Sequence, residues 1–191
     1  PTDQINAGCY VFRREVIESI PAGRPVSVER ETFPGLLARG ARVQGHVDAS
    51  YWLDLGTPAA FVQGSADLVR GVAPSAALPA EPGEAIVLEG AQVHADAVVG
   101  GGTTVGAGCT VASGASVQGS VLFDGAVVGE GALVENSVLG AECLVQAGAV
   151  VRDAVIGDGA VVGAGCELIG GARVWPGVVL PEGGVRFSAD V

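Results

Sequence analysis

The sequence predicts a mainly β protein: a three-sided parallel β-helix over residues 85–181, preceded by a mixed strand-and-helix segment over residues 1–71. Three observations predict it. From Val87 to Leu180, aliphatic residues return every six positions, with an occasional step of five. Glycine accounts for 31 of 191 residues and aromatics for only 5 %, so the core must be filled by Val, Ala, Leu and Ile, which suits narrow repeated strands. Between the two parts, residues 72–84 read VAPSAALPAEPGE, rich in Pro and Ala and without periodicity, which marks a linker.

Taken in order, INAGCYVF at 5–12 reads as a strand, from Ile5, Tyr10, Val11 and Phe12. RREVIESI at 13–20 reads as a short helix with Val16, Ile17 and Ile20 on one face, ended by Pro21 and Gly23. VERETFPGLLARG at 28–40 is a helical stretch broken at Pro34 and closed by Gly40, and ARVQGHV at 41–47 reads as a second strand. PAAFVQGSADLVRG at 58–71 is a helix with Pro in its first turn and Gly at its end. These elements are too few for a complete α/β domain with its own parallel sheet. The chain also starts at Pro1 rather than Met, so it is expected to be the later part of a longer chain.

In the second part the steps of five fall at 117→122, 134→139 and 151→156, each 17 residues after the last and therefore on every third repeat. A residue missing from every third side implies a coil of three sides. Seventeen aliphatic marks make between five and six coils, and at ~4.8 Å per coil the prism stands on the order of 25 Å tall. The marks point inward. Four residues after each comes a small or β-branched residue, among them Thr103, Cys109, Val121, Ala132, Val138, Cys143 and Val155, expected inside the prism beside a corner. Glycines take the tight turns that need positive φ. Residues 182–191 follow as a C-terminal tail.

Composition excludes several function classes. Net charge is −11 and every basic residue is Arg, so no nucleic-acid partner is expected, since phosphate backbones demand basic clusters. The arginines gather in residues 1–70, which makes that segment the better place for an anionic substrate. No long uncharged apolar run or export signal is visible, which argues against a membrane and for the cytoplasm. Cys9, Cys109, Cys143 and Cys166 lack CxxC spacing, so neither a metal cluster nor a disulfide framework is expected. The last three fall on the small interior slot as apolar fillers. With only His46 and His94 available, a three-histidine zinc site is excluded on ligand count, and His94 reads as a solvated turn residue. Asp124, Asp153 and Asp158 read as solvated corner residues.

YWLDLGTPAAF at 51–61 sets Asp54 in an apolar run just before a turn and a helix. One reading is a turn former or helix N-terminal acid. The other is a metal carboxylate at the end of a strand, the usual ligand position in open α/β sheets.

INAGCYVF, VSVERETFP (26–34) and YWLDLGTPAAF, in that order and followed by hexapeptide repeats, resemble the C-terminal half of sugar-1-phosphate nucleotidyltransferases, most closely the mannose-1-phosphate guanylyltransferase type. The resemblance covers nearly the whole chain and implies a left-handed sense for the β-helix, against the usual right-handed crossover. It implies that residues 1–71 end an α/β nucleotidyltransferase domain. The family's glycine-rich G-x-G-T-R-L loop is absent here, since GGGTTVGAG at 100–108 belongs to the repeat, and would lie upstream.

The resemblance further implies that Asn6 hydrogen-bonds sugar hydroxyls, that Gly8 lets the backbone approach the sugar, that Glu29 lies near the sugar and that Asp54 is an Mg²⁺ ligand. The substrates would be a sugar-1-phosphate and a nucleoside triphosphate, and the β-helix would assemble a homo-oligomer. Two other readings stand beside it: a hexapeptide acyltransferase, whose mark is a histidine well inside the helix, and a non-catalytic regulatory or scaffold homologue.

Overall fold

The computed structural model describes residues 4–78 and 81–186; the outermost parts of the expected tail, and residues 79 and 80 of the expected linker, lie outside them. The chain divides into two compact units, residues 1–52 and 53–191.

In the first unit, helix α1 spans Arg14–Glu18. A π-helical turn, Val28–Thr32, runs directly into α2, Phe33–Ala38. The Ser27 side chain caps that turn by accepting from the Arg30 N–H. Gly40, at φ +73, closes the stretch. The two strands expected at 5–12 and 41–47 do not form; both segments lack ladder pairing. Their residue types favour a strand, but a strand exists only with a hydrogen-bonded neighbour, and neither segment meets one among the described residues.

The second unit opens with helix α3, Pro58–Val69. Thr57 is its N-cap, accepting the Ala60 N–H, and Pro58 sits in the first turn. The segment 72–84 folds back on this helix: the Gly83 N–H donates to the Val69 carbonyl at 2.8 Å, and Ala73 is buried.

Seventeen short parallel strands then run from β1 (Ala85–Val87) to β17 (Val179–Leu180), and each carries one of the seventeen aliphatic marks. Every third strand joins the same sheet, which gives two six-stranded faces and one five-stranded face. On the first face Val87, Val105, Leu122, Leu139, Ile156 and Val174 stack in one inward column. From Val105 to Ile156 that column is at most 1 % exposed. Val87, at the open end of the prism, is half exposed because no coil precedes it.

The corner that leads into this face explains the unequal steps. Where the step is six, two consecutive glycines take positive φ, Gly101 with Gly102 and Gly170 with Gly171. Where it is five, one residue suffices: Gly119, Asn136 or Asp153. Asn and Asp enter the left-handed region at lower cost than other side chains.

The small-residue assignment needs correcting at the three short sides. Val121, Val138 and Val155 do not enter the prism; the buried residues there are Ser120, Ser137 and Ala154. Side chains alternate along a strand, so the inward neighbour of a mark lies two residues before it. With a step of five that is three residues after the previous mark, not four. Thr103, Ser120 and Ser137 thus form a buried hydroxyl column. Thr103 Oγ1 accepts from the Ser120 N–H, Ser120 Oγ from Ser137, and Ser137 Oγ from Ala154, at 3.0–3.2 Å. Each hydroxyl in turn donates to a carbonyl of its own coil. No buried polar side-chain atom among the described residues lacks a partner.

The outward Val121 has a different task. Helix α3 lies on the first face, against Thr103–Val105. Val62, Ala66 and Val69 are buried from the helix, Ile86 and Val121 from the face. Phe61 stacks on Phe123 with ring centroids 6.4 Å apart.

Candidate functional site

Two of the expected sugar-binding residues meet in the first unit. Asn6 Nδ2 donates to Glu29 Oε1 at 2.8 Å across 23 residues of sequence, and to the Tyr10 hydroxyl at 2.7 Å. The Tyr10 hydroxyl donates to the same Glu29 Oε1 at 2.8 Å. Asn6 Oδ1 accepts the Gly8 N–H at 2.9 Å, an Asx turn that fixes the carboxamide. Gly8 takes φ +71, and a Cβ built on it would meet nothing within 4 Å. The backbone is therefore open to an approaching ligand at that point. Glu29 carries no hydrogen-bond donor on Oε2 among the described residues.

Tyr10 was not among the expected site residues. It stands four residues after Asn6 in INAGCYVF, and its aromatic character made it look like strand filling. Its ring is held edge-on to Phe33 at 5.2 Å, with Phe12 5.7 Å from Phe33. Its phenol pKa is raised, mainly because the hydroxyl donates to the Glu29 carboxylate. Nearby, Arg24 pairs with Glu31 at 2.9 Å and, together with the Ser27 N–H, holds that carboxyl below its usual range.

Asp54 belongs to the second unit. Residues 51–56 form no strand, so it does not end one. Leu53 and Leu55 turn instead toward α3, where Gly64 makes room: a Cβ there would stand 2.8 Å from Leu55 Cδ2 and 3.3 Å from Leu53 Cδ2. Asp54, between them, is exposed, and its Oδ1 accepts the Gly56 N–H at 3.0 Å. That bond is what a turn former makes, and it leaves Oδ2 without a donor among the described residues. One carboxylate fits an ion such as Mg²⁺ as a single protein ligand, with phosphate and water oxygens completing the shell. Among the described residues no group of three or more His, Cys, Asp or Glu could hold a metal by itself.

On the β-helix, His94 Nδ1 contacts Asp96 Oδ1, and Asp96 also accepts from the Ser113 hydroxyl and the Gly114 N–H of the next coil. Asp124 and Asp158 do more than face solvent: each accepts a backbone N–H from the preceding coil, of Ala107 and Ala141 respectively. Among the described residues no helix is long and apolar enough to cross a membrane.

Residues 1–71 match the family described as nucleotidyl transferase, and residues 82–190 the family described as GMPPB C-terminal domain. The chain is 58 % identical to mannose-1-phosphate guanylyltransferase of Mycobacterium tuberculosis over 192 residues, covering 100 % of this chain and 54 % of that protein. It is 40 % identical to mannose-1-phosphate guanyltransferase of Yarrowia lipolytica over 63 residues, 33 % of this chain and 17 % of that protein. The chain thus spans about half the length of the mycobacterial relative or less of the others. A mutant of perosamine N-acetyltransferase from Caulobacter crescentus superposes with a TM-score of 0.44 at 17 % identity, over 56 % of this chain and 54 % of that one. With a nucleotidyl transferase segment followed by seventeen repeats on three faces, the chain belongs to the GMPPB C-terminal domain family.

Proposed function

We propose that this chain is the C-terminal portion of an enzyme that joins a sugar-1-phosphate to a nucleoside triphosphate, making GDP-mannose or a close relative and releasing pyrophosphate. The observation that carries this reading is the 58 % identity to a mannose-1-phosphate guanylyltransferase along the entire chain. In the reaction an oxygen of the sugar phosphate attacks the α-phosphorus, and the bond to the β-phosphate oxygen breaks. Asn6 and Glu29 hold and orient the sugar, and Gly8 lets its ring approach the backbone. Asp54 is the residue that would hold Mg²⁺, which supplies charge neutralisation at the phosphates. Positioning contributes most of the rate. The domain limits 1–71, 72–84 and 85–181, homo-oligomer formation through the β-helix and a cytoplasmic setting belong to the same reading.

The test is a pyrophosphate-release assay on the full-length protein with mannose-1-phosphate, GTP and Mg²⁺, alongside other sugar-1-phosphate and nucleotide pairs. Release with one pair supports the reading. Acyl transfer from an acyl-thioester without pyrophosphate release would favour the acyltransferase instead, and neither activity would favour a regulatory homologue.

A further inference from the structure

Tyr10 grips the helical stretch 28–38 at two points one turn apart. Its ring meets Phe33 and its hydroxyl meets Glu29, residues four apart and so on the same helical side. The Glu29 carboxylate receives two donors on one oxygen, Asn6 Nδ2 at 2.8 Å and Tyr10 OH at 2.8 Å, and none on the other among the described residues. Two donors converging on Oε1 leave the carboxylate little freedom to turn, so Oε2 is presented in one direction. An exposed glutamate without such partners would sample many rotamers and lose that entropy on binding. Phe12 completes the aromatic clamp, with its ring centroid 6.1 Å from that of Tyr10.

We propose that Tyr10 is the positioning residue for sugar recognition: it holds Glu29 so that Oε2 accepts a hydrogen bond from a hydroxyl of the sugar-1-phosphate. Tyr10 acts through Glu29 and the ring clamp rather than by taking part in phosphoryl chemistry. The inference rests on the sugar-1-phosphate reading above. It also explains why the tyrosine follows Asn6 at a distance of four residues: both donors must reach one carboxylate oxygen.

The experiment uses the full-length enzyme with four forms: wild type, Tyr10→Phe, Glu29→Ala and the double variant. Tyr10→Phe keeps the ring on Phe33 and removes only the hydroxyl. It is expected to raise KM for the sugar-1-phosphate about tenfold, comparable to losing one hydrogen bond to a charged group, with kcat, KM for the nucleotide and melting temperature nearly unchanged. In the Glu29→Ala background the same change is expected to add nothing, because the group it acts through is gone. Tyr10→Phe kinetics equal to wild type, or an equal loss with and without Glu29, would overturn the assignment while leaving the enzyme's function intact. A wild-type protein that turns over no sugar-1-phosphate would overturn both.

Discussion

Ala66 of α3 lies so close to Gly102, at the first corner of the β-helix, that a Cβ built on Gly102 would stand 2.6 Å from Ala66 Cβ and 2.8 Å from its Cα. Gly102 also takes φ +84. Gly171 holds the equivalent place in a later coil at φ +86, but has nothing within 4 Å. Gly171→Ala should therefore cost only the left-handed strain, about 1–2 kcal/mol. Gly102→Ala should cost ~2 kcal/mol more, because it also pushes α3 off the face. Chemical denaturation of both variants measures the difference; equal losses would show that α3 yields freely.

The hydroxyl column predicts a polar sensitivity inside an apolar prism. Ser137→Ala strands the buried Ala154 N–H, which now bonds to Ser137 Oγ at 3.0 Å. A loss of about 1–3 kcal/mol is expected. Ser116→Ala, at a partly exposed position on another face, should be near neutral.

Thiol chemistry should separate the cysteines cleanly. Cys9 is exposed, whereas Cys109, Cys143 and Cys166 are fully buried. Burial pushes the Cys143 thiol up to about 12. A thiol reagent at pH 8 should label one cysteine in the native protein and four after unfolding. Cys143→Arg should prevent stable folding of the β-helix, because it buries a charge in a space shaped for a small apolar group.

Asp96 links two coils and titrates. The Ser113 hydroxyl, the Gly114 N–H and His94 hold its pKa at about 2, below the usual 3.8. A carboxyl depressed in the folded state stabilises above its unfolded value, and the contribution fades as pH falls from ~4 toward ~2. Wild type should lose more stability across that window than Asp96→Asn. Identical pH profiles would show that the inter-coil bonds do not favour the ionised form.

Asp54→Asn tests the metal reading against the turn reading. In the full-length protein, a metal ligand predicts an intact melting temperature, nucleotidyl-transfer turnover reduced ~10²-fold and partial rescue by added Mg²⁺. A turn former predicts normal turnover at limiting and saturating Mg²⁺, with stability changed by ~1 kcal/mol.

A feature of this protein is legible in its sequence when it is local. The three-sided coil is legible because each side is a short strand and one corner, and at the corner leading into the first face the step length follows the number of left-handed residues: Gly101 with Gly102 for six, Asn136 alone for five. Cys109, Cys143 and Ala132 were placed in the interior for the same reason, and they are buried there. At the short sides the residue types do not fix the phase. Val121, being apolar, suits an interior as well as an outer face under α3, and only the packing of a helix some fifty residues away distinguishes the two. Strands at 5–12 and 41–47 failed to form because pairing is supplied by other segments and cannot be read from residue types. Asn6, Gly8 and Glu29 were recognisable as motifs. That Asn6 and Glu29 share a hydrogen bond, and that Tyr10 joins them, was decided by a contact spanning 23 residues, where tertiary structure alone sets the distance.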